Sequence, residues 1–262
     1  RRGLSALPAP PVGSMSDVEM ITEHGNAGRL AEARACFERL EQWAAAQPQD
    51  PMARLALADG AINLVRAYGR NAQLGEARSC LDGLERLAAD HPGEPLLGLR
   101  AAAGAFHLLS ACGDAGRFAE ALACLARLAE LATDHPERAE FRRELAGGAF
   151  NLINRYIGAN HLEAARACLE RIEQIAASHP NDVEIRLRLA RGAVNLIKTF
   201  ATAGRAEEAA AVALACRAAL CAPEFREDVR RHAGPEGAAQ FDALLAGLFS
   251  AGAPGARSPA TH

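Results

Sequence analysis

The stretch Gly148-Ala149-Phe150-Asn151-Leu152 decides the fold, because the same five-residue pattern recurs three more times at intervals of 44 residues. The related stretches begin at Gly60, Gly104 and Gly192, and each reads Gly-Ala, an apolar residue, Asn or His, then Leu. The same interval separates four prolines, Pro48, Pro92, Pro136 and Pro180. Self-similarity at a period of this length is typical of a tandem array of structural repeats.

The composition favours helices over strands. Half of the 262 residues are apolar, only 5% are aromatic, and alanine is abundant, which suits closely packed helices. A period of 44 residues divides into two helices of about 17–19 residues and two short turns. We therefore predict an all-α chain built as one α-solenoid of five helix–turn–helix repeats.

The array does not account for the whole chain. The repeats cover residues 16–222, and the Pro/Gly-rich segment 1–14 is predicted to be disordered. After Pro223 the period is lost, and residues 223–249 are predicted to form capping helices over the open end of the solenoid. These are a short charged helix over 224–232 and an amphipathic helix over 236–249, with Gly234-Pro235 between them. The tail 250–262, rich in Ala, Gly, Pro and Ser, is again predicted to be disordered.

The helix boundaries follow from turn residues and prolines. The first unit is predicted to have a short first helix, 17–23, and a second helix, 30–46. The next unit is predicted to have helices over 52–69 and 74–90, each with an apolar stripe at helical spacing. Later turns place Gly116, Asn160 and Gly204 where a helix must end in a left-handed conformation.

Charge and hydropathy limit the classes of partner and compartment. The formal net charge of -3 lacks the basic excess expected of a nucleic-acid-binding protein, so no nucleic acid partner is predicted. No apolar run approaches the roughly 18 residues of a membrane span, and no hydrophobic signal core follows Arg1 and Arg2. The sequence therefore predicts a cytoplasmic protein that does not insert in a membrane.

The cysteines and histidines repeat with the array and are interpreted as structural. Cys36, Cys80, Cys124 and Cys168 are 44 residues apart, so stacking of equivalent helices at about 8–10 Å keeps them too far apart to form disulfides. We predict that these four are buried and unpaired. The three His-Pro pairs, at 91–92, 135–136 and 179–180, are equally separated and are predicted to end helices rather than bind metal. No metal and no cofactor is expected.

A run of residues in the second unit resembles a known repeat family. Asn63-Leu64-Val65 is followed by Tyr68 and then by Leu74-Gly75-Glu76-Ala77, and comparable strings recur after Asn151 and Asn195. This pattern resembles the tetratricopeptide repeat, and the resemblance covers roughly residues 16–222. It implies a superhelix whose first helices line a concave groove that binds a peptide or a partner protein.

The sequence also departs from that family. The familiar repeat has about 34 residues, whereas this one has 44, which corresponds to about two extra turns on the first helix and one on the second. The third residue of the family's Asn-Leu-Gly is Val65, Leu109, Ile153 or Ile197 here, which predicts wider helix packing at that point. We interpret the chain as a long-helix variant of the tetratricopeptide fold; the alternative is another α-solenoid, such as the HEAT type.

The first helix of each unit has a polar side. Positions such as Asn63, Arg66 and Arg70 fall opposite the apolar stripe at 100° per residue. By the family resemblance this side is the binding surface, and its candidate residues are Asn63, Arg66, Arg70, His107, Asn151, Asn154, Arg191, Asn195 and Lys198.

Within that surface, Asn63, His107, Asn151 and Asn195 are predicted to form a row. A carboxamide both donates and accepts hydrogen bonds, so such a row suits the main chain of an extended peptide. The alternative is that these asparagines belong to the repeat consensus and bond within the surface. The carboxylate clamp of chaperone-binding family members is not reproduced.

The sequence supports three classes of function to different degrees. The sequence best predicts a non-catalytic interaction scaffold that binds a protein or peptide partner. A self-associating structural protein, a homo-oligomer, is the alternative. An enzyme is the least favoured, because the best catalytic pair, His107 and Asp114, is separated by two helical turns, about 10 Å, which is too far for a hydrogen bond.

Overall fold

The structure is a computed structural model that describes residues 15–251. Within that range the chain is all-helical and contains no strand, which confirms the all-α part of the prediction. The helices are α1 (Met15–Asn26), α2 (Leu30–Ala46), α3 (Pro51–Arg70), α4 (Leu74–Asp90), α5 (Pro95–Asp114), α6 (Phe118–Asp134), α7 (Ala139–Gly158), α8 (Leu162–Ser178), α9 (Val183–Thr202), α10 (Ala206–Ala215), α11 (Arg217–Leu220) and α12 (Pro223–Ala251). The predicted disordered ends lie outside the described residues, apart from the last two residues of α12.

The described residues fall into two compact units, which divide within α7 between Glu144 and Leu145. In the first unit α1 packs on α2 and α3, α3 packs on α4 and α5, and α5 packs on α6. In the second unit α9 packs on α8 and α10, and α12 packs on α9 and α10. Helices that are neighbours in the chain are therefore neighbours in space within each unit, as helix–turn–helix repeats require. The solenoid itself stays a prediction.

The turn between the two helices of each pair has one design. The backbone N–H of Arg29, Gln73, Arg117, His161 and Arg205, which are 44 residues apart, donates to the carbonyl five residues earlier at 2.8–2.9 Å. This closure needs a left-handed residue just before it. Gly116, Asn160 and Gly204 have φ of 70°, 59° and 73°, which confirms their predicted role.

Some of the other helix boundaries agree with the prediction and some do not. The helix expected over 74–90 is α4 to the residue, but the first helix extends from Met15 to Asn26 rather than over 17–23. The second helix of the fifth unit is interrupted at Cys216, where α10 ends and the four-residue α11 follows. The break allows α11 to pack on α9 and α12. At Gly234 (φ 71°) α12 bends into two halves, which agrees with the two C-terminal helices predicted on either side of Gly234-Pro235.

The His-Pro pairs end helices, as predicted. His91, His135 and His179 are the C-terminal caps of α4, α6 and α8, and their backbone N–H groups donate to carbonyls of the last turn. The proline that follows each of them cannot continue a helix, because it has no N–H and its ring clashes with the preceding turn. Gln47 has the same role at the end of α2.

Small residues allow neighbouring first helices to approach closely. A Cβ added to Gly25 of α1 would lie 2.8 Å from the Cβ of Ala67 in α3. The equivalent pair one repeat later, Gly69 of α3 and Ala111 of α5, gives the same 2.8 Å. Because real Cβ atoms cannot approach so closely, a glycine is required on one side of each contact. The abundance of alanine and glycine thus sets the helix spacing.

All seven cysteines are free, and Cys36, Cys124 and Cys168 are buried as predicted. The prediction is wrong for Cys80, which is only partly buried. A cavity of about 290 Å³ between α2, α3 and α4 reaches this thiol and is also lined by Gly83. One repeat earlier the position of Gly83 is Arg39, whose guanidinium lies 3.1 Å from the Sγ atom of Cys36, the cysteine equivalent to Cys80. The missing arginine side chain explains why Cys80 is partly exposed.

One helix corrects the expectation about membrane spans. Among the described residues α5 is long and apolar enough to cross a membrane by length and composition, with a mean hydropathy of 1.3. However, 56% of its most apolar 18-residue stretch is buried inside the protein, and α5 packs on α3, α4 and α6. A core helix of a soluble protein passes the same test, so the helix is weak evidence for a membrane span.

Candidate functional site

The first unit brings four of the predicted binding residues together. Asn63, Arg66 and Arg70 lie on α3, and His107 lies on α5. A cavity of about 230 Å³ opens between these two helices. Its lining residues are Arg66, Gly69, Arg70, His107, Ser110, Ala111 and Asp114. The polar side of the first helices is therefore a surface with a cleft in this unit.

Two of these side chains are engaged with α1. The Nδ2 atom of Asn63 donates to the carbonyl of Val18 at 3.5 Å, at the limit of hydrogen-bond distance. The Nη1 atom of Arg70 donates to Oδ1 of Asn26 at 2.5 Å. Arg66 forms no ion pair with any described residue. The contact of Asn63 supports the alternative that asparagines of the row bond within the surface.

His107 is the member of the row that is not an asparagine. Burial, and then the positive charges of Arg66 and Arg70, lower the pKa of its imidazole from 6.5 to about 4. The ring is therefore neutral at pH 7 and offers one donor and one acceptor nitrogen. Like the carboxamides at the equivalent positions, the neutral ring can both donate and accept a hydrogen bond, although it has one N–H donor where a carboxamide has two.

The second unit contains the other five candidates. Asn151 and Asn154 lie on α7, and Arg191, Asn195 and Lys198 lie on α9. The Nδ2 atom of Asn195 donates to Oδ1 of Asn154 at 2.8 Å, so two predicted residues bond to each other. This contact uses one of the two N–H groups of Asn195. The continuity of the row between His107 and Asn151 stays a prediction.

The two cations of α9 that are candidate binding residues, Arg191 and Lys198, have different surroundings. The guanidinium of Arg191 binds the carboxylate of Asp228 on α12 through two nitrogens, at 2.7–3.0 Å. Such bidentate pairing engages a guanidinium that the sequence analysis places on the candidate binding surface. Lys198 is exposed and forms no ion pair within residues 15–251. Of these two, only Lys198 has its charge available for a ligand.

A large cavity lies between α9 and both halves of α12. Its volume is about 610 Å³, within the range of ligand pockets, about 300–1,000 Å³. The lining residues are Arg191, Val194, Asn195, Lys198, Phe225, Asp228, Val229, Gly237, Gln240, Phe241 and Leu244. We call this cavity the α9–α12 pocket. Three predicted binding residues therefore form one wall of a pocket that the sequence did not reveal.

Sequence reasoning missed the aromatic and aliphatic part of this pocket. Phe225 and Phe241, one on each half of α12, meet edge to face with ring centroids 5.7 Å apart. The available signal was the amphipathic pattern of residues 236–249, which indicates an apolar face but not what that face covers. The sequence therefore predicts only a cap there.

Compared with known proteins, the chain matches no family model, and no curated protein matches it either. Among residues 15–251, no group of three or more His, Cys, Asp and Glu side chains is arranged to hold a metal ion.

Proposed function

We propose that this protein is a non-catalytic interaction scaffold. Its five helical repeats form a tetratricopeptide-like solenoid, and the polar side of the first helices holds a peptide or a segment of a partner protein. The repeat pattern, the common turn and the neighbour-to-neighbour packing within each unit support this proposal. The free thiols suit a reducing compartment, which favours a cytoplasmic location.

One observation carries the proposal. Four repeats contribute to the row: three have an asparagine there, and one has His107, whose lowered pKa keeps the imidazole neutral. Each position thus keeps a neutral group that can donate and accept, which is what the main chain of an extended peptide requires. Equivalent first helices at about 8–10 Å would meet such a peptide at about every third residue, because it advances about 3.3 Å per residue.

The hydrogen bonds already present do not exhaust these groups. Asn63 and Asn195 each donate one N–H to a neighbouring helix, which orients the carboxamide. The second N–H and the carbonyl oxygen are then fixed in direction, so binding loses little side-chain entropy. The internal contacts and the ladder are therefore compatible roles of the same residues.

The test uses peptides selected from a random library on the wild-type protein. Changing Asn151 and Asn195 together to Ala should weaken every selected peptide by a similar factor of about ten or more, since each lost hydrogen bond is worth roughly 0.5–1.5 kcal/mol. Asn181→Ala, an exposed position between α8 and α9, is the matched control and should change nothing. Unchanged affinities in the double variant, with its helix content intact, would leave the asparagines as packing residues alone.

A further inference from the structure

Lys198 is the single lysine of the 262-residue sequence, and it lies on the wall of the α9–α12 pocket. The neighbouring ion pairs of the second unit use arginine as the cation, whereas Lys198 pairs with no acidic group among residues 15–251. An ammonium is a compact, strongly hydrated charge that donates up to three hydrogen bonds. Its position next to a large apolar cavity is the observation that needs an explanation.

The pocket is held open by contacts within the second unit. Arg226 on the first half of α12 pairs with Asp242 on the second half at 3.3 Å, so the bend at Gly234 is fixed. Arg191 ties the first half of α12 to α9 through Asp228. The first half of α12 is thus tied both to α9 and to the second half, which fixes two of the three contacts between the walls.

The lining is apolar inside and cationic at one edge. Val194 contributes from α9, and Phe225, Val229, Phe241 and Leu244 contribute from α12. The charge of Arg191 is compensated by Asp228, so Lys198 leaves the lining with one net positive charge. A ligand that matches this lining has an apolar body and one negative group at its end.

We propose that the α9–α12 pocket binds a small apolar carboxylate, an organic acid whose aliphatic or aromatic body fills the cavity and whose carboxylate bonds to Lys198. The carboxylate accepts hydrogen bonds from the ammonium, and the body covers the two phenylalanine rings. This site lies entirely within the second unit and goes beyond the proposed peptide binding, which does not have to hold for it.

The single lysine permits a direct measurement on the full chain. Reductive methylation with ¹³C-formaldehyde labels Lys198 and the terminal amine only, and Lys198→Met identifies the lysine signal by its loss. Decanoate below its micellar concentration should shift this signal saturably. 1-Decanol, which lacks the charge, should bind about tenfold more weakly, and acetate, which lacks the chain, should give no saturable shift.

Calorimetric titration of decanoate into unlabelled variants tests each part of the site. Lys198→Met should weaken binding about tenfold, and Lys198→Arg should keep it within about threefold, since the charge is retained. Leu244→Ala should weaken binding about fivefold through lost apolar contact. Leu214→Ala is the matched control, because Leu214 is a similarly exposed leucine of the same unit that does not line the pocket.

Several results would overturn the assignment. Equal binding of decanol and decanoate would show that Lys198 does not bind the carboxylate. Wild-type affinity in Leu244→Ala would show that the ligand does not bind in the pocket. A peptide ending in Leu or Phe with a free carboxylate that binds, while decanoate does not, would show that the occupant is a partner chain. Weaker binding of the library peptides to Asn151→Ala, whose site does not line the pocket, with decanoate binding unchanged, would separate the two proposals.

Discussion

Replacing Gly60 by Ala adds one methyl group where α1, α2 and α3 meet. The added Cβ would lie 2.6 Å from Cδ1 of Leu40, 3.1 Å from Phe37 and 3.2 Å from Ile21. Leu40 and Ile21 are completely buried, so neither has free space to move into. Gly60 opens the repeated motif, and the packing around it explains why the motif begins with glycine.

The expected change in the free energy of unfolding is the result of two opposing effects. Alanine is better than glycine in a helix interior by about 1 kcal/mol, and overpacking a filled core costs typically 1–3 kcal/mol. Gly83→Ala in α4 isolates the first effect, since the nearest atom to an added Cβ is Nη2 of Arg86 at 4.0 Å. We expect Gly83→Ala to stabilise by about 0.5–1 kcal/mol, and Gly60→Ala to be about 1–3 kcal/mol less stable than that control.

The assay is equilibrium unfolding in urea followed by far-UV circular dichroism, with the free energy of unfolding extrapolated to water. Gly104→Ala provides an intermediate case, because its nearest contacts are Leu81 at 3.0 Å and Leu84 at 3.4 Å. The predicted order of stability is Gly83→Ala, then Gly104→Ala, then Gly60→Ala. If Gly60→Ala stabilises the protein as much as the control does, the close packing inferred at the motif is wrong.

Three further predictions concern titration and the C-terminal helix. The folded state lowers the pKa of His107 from 6.5 to about 4, so its contribution to the free energy of unfolding is present above pH 6.5 and is lost as the pH falls towards 4. In urea titrations between these pH values, the free energy of unfolding of His107→Gln should therefore fall less steeply with pH than that of the wild type. Burial raises the pKa of Cys80 to about 11, so its alkylation, followed by mass spectrometry, should be slow at pH 7.5 despite its partial exposure and should speed up about tenfold per pH unit to pH 10; fast alkylation at pH 7.5 would contradict this. Asp228→Asn should accelerate hydrogen exchange in α12 and leave α1 to α6 unchanged, with a loss of stability below about 1 kcal/mol because Arg191 is half-exposed.

Local sequence signals predict many of the helix boundaries. A helix ends where a proline or a left-handed residue stands, whatever packs against it, so His91-Pro92 and Gly116 marked boundaries that the structure confirms. The 100° periodicity likewise predicted that Leu64 is buried, and that Asn63 lies on the opposite, partly exposed side. These properties depend on residues within one or two helical turns of each other.

Only the tertiary structure decided which side chains meet across helices. Arg191 pairs with Asp228, 37 residues away, because α12 folds back against α9, and the repeat pattern ends before α12 begins. The α9–α12 pocket arises from the same return of the chain. Similarly, Cys80 is partly exposed because a side chain is missing at Gly83 in the neighbouring turn. Periodicity fixes the face on which a residue lies, whereas its partner depends on the distance and rotation of another helix, which the contacts of the whole unit determine.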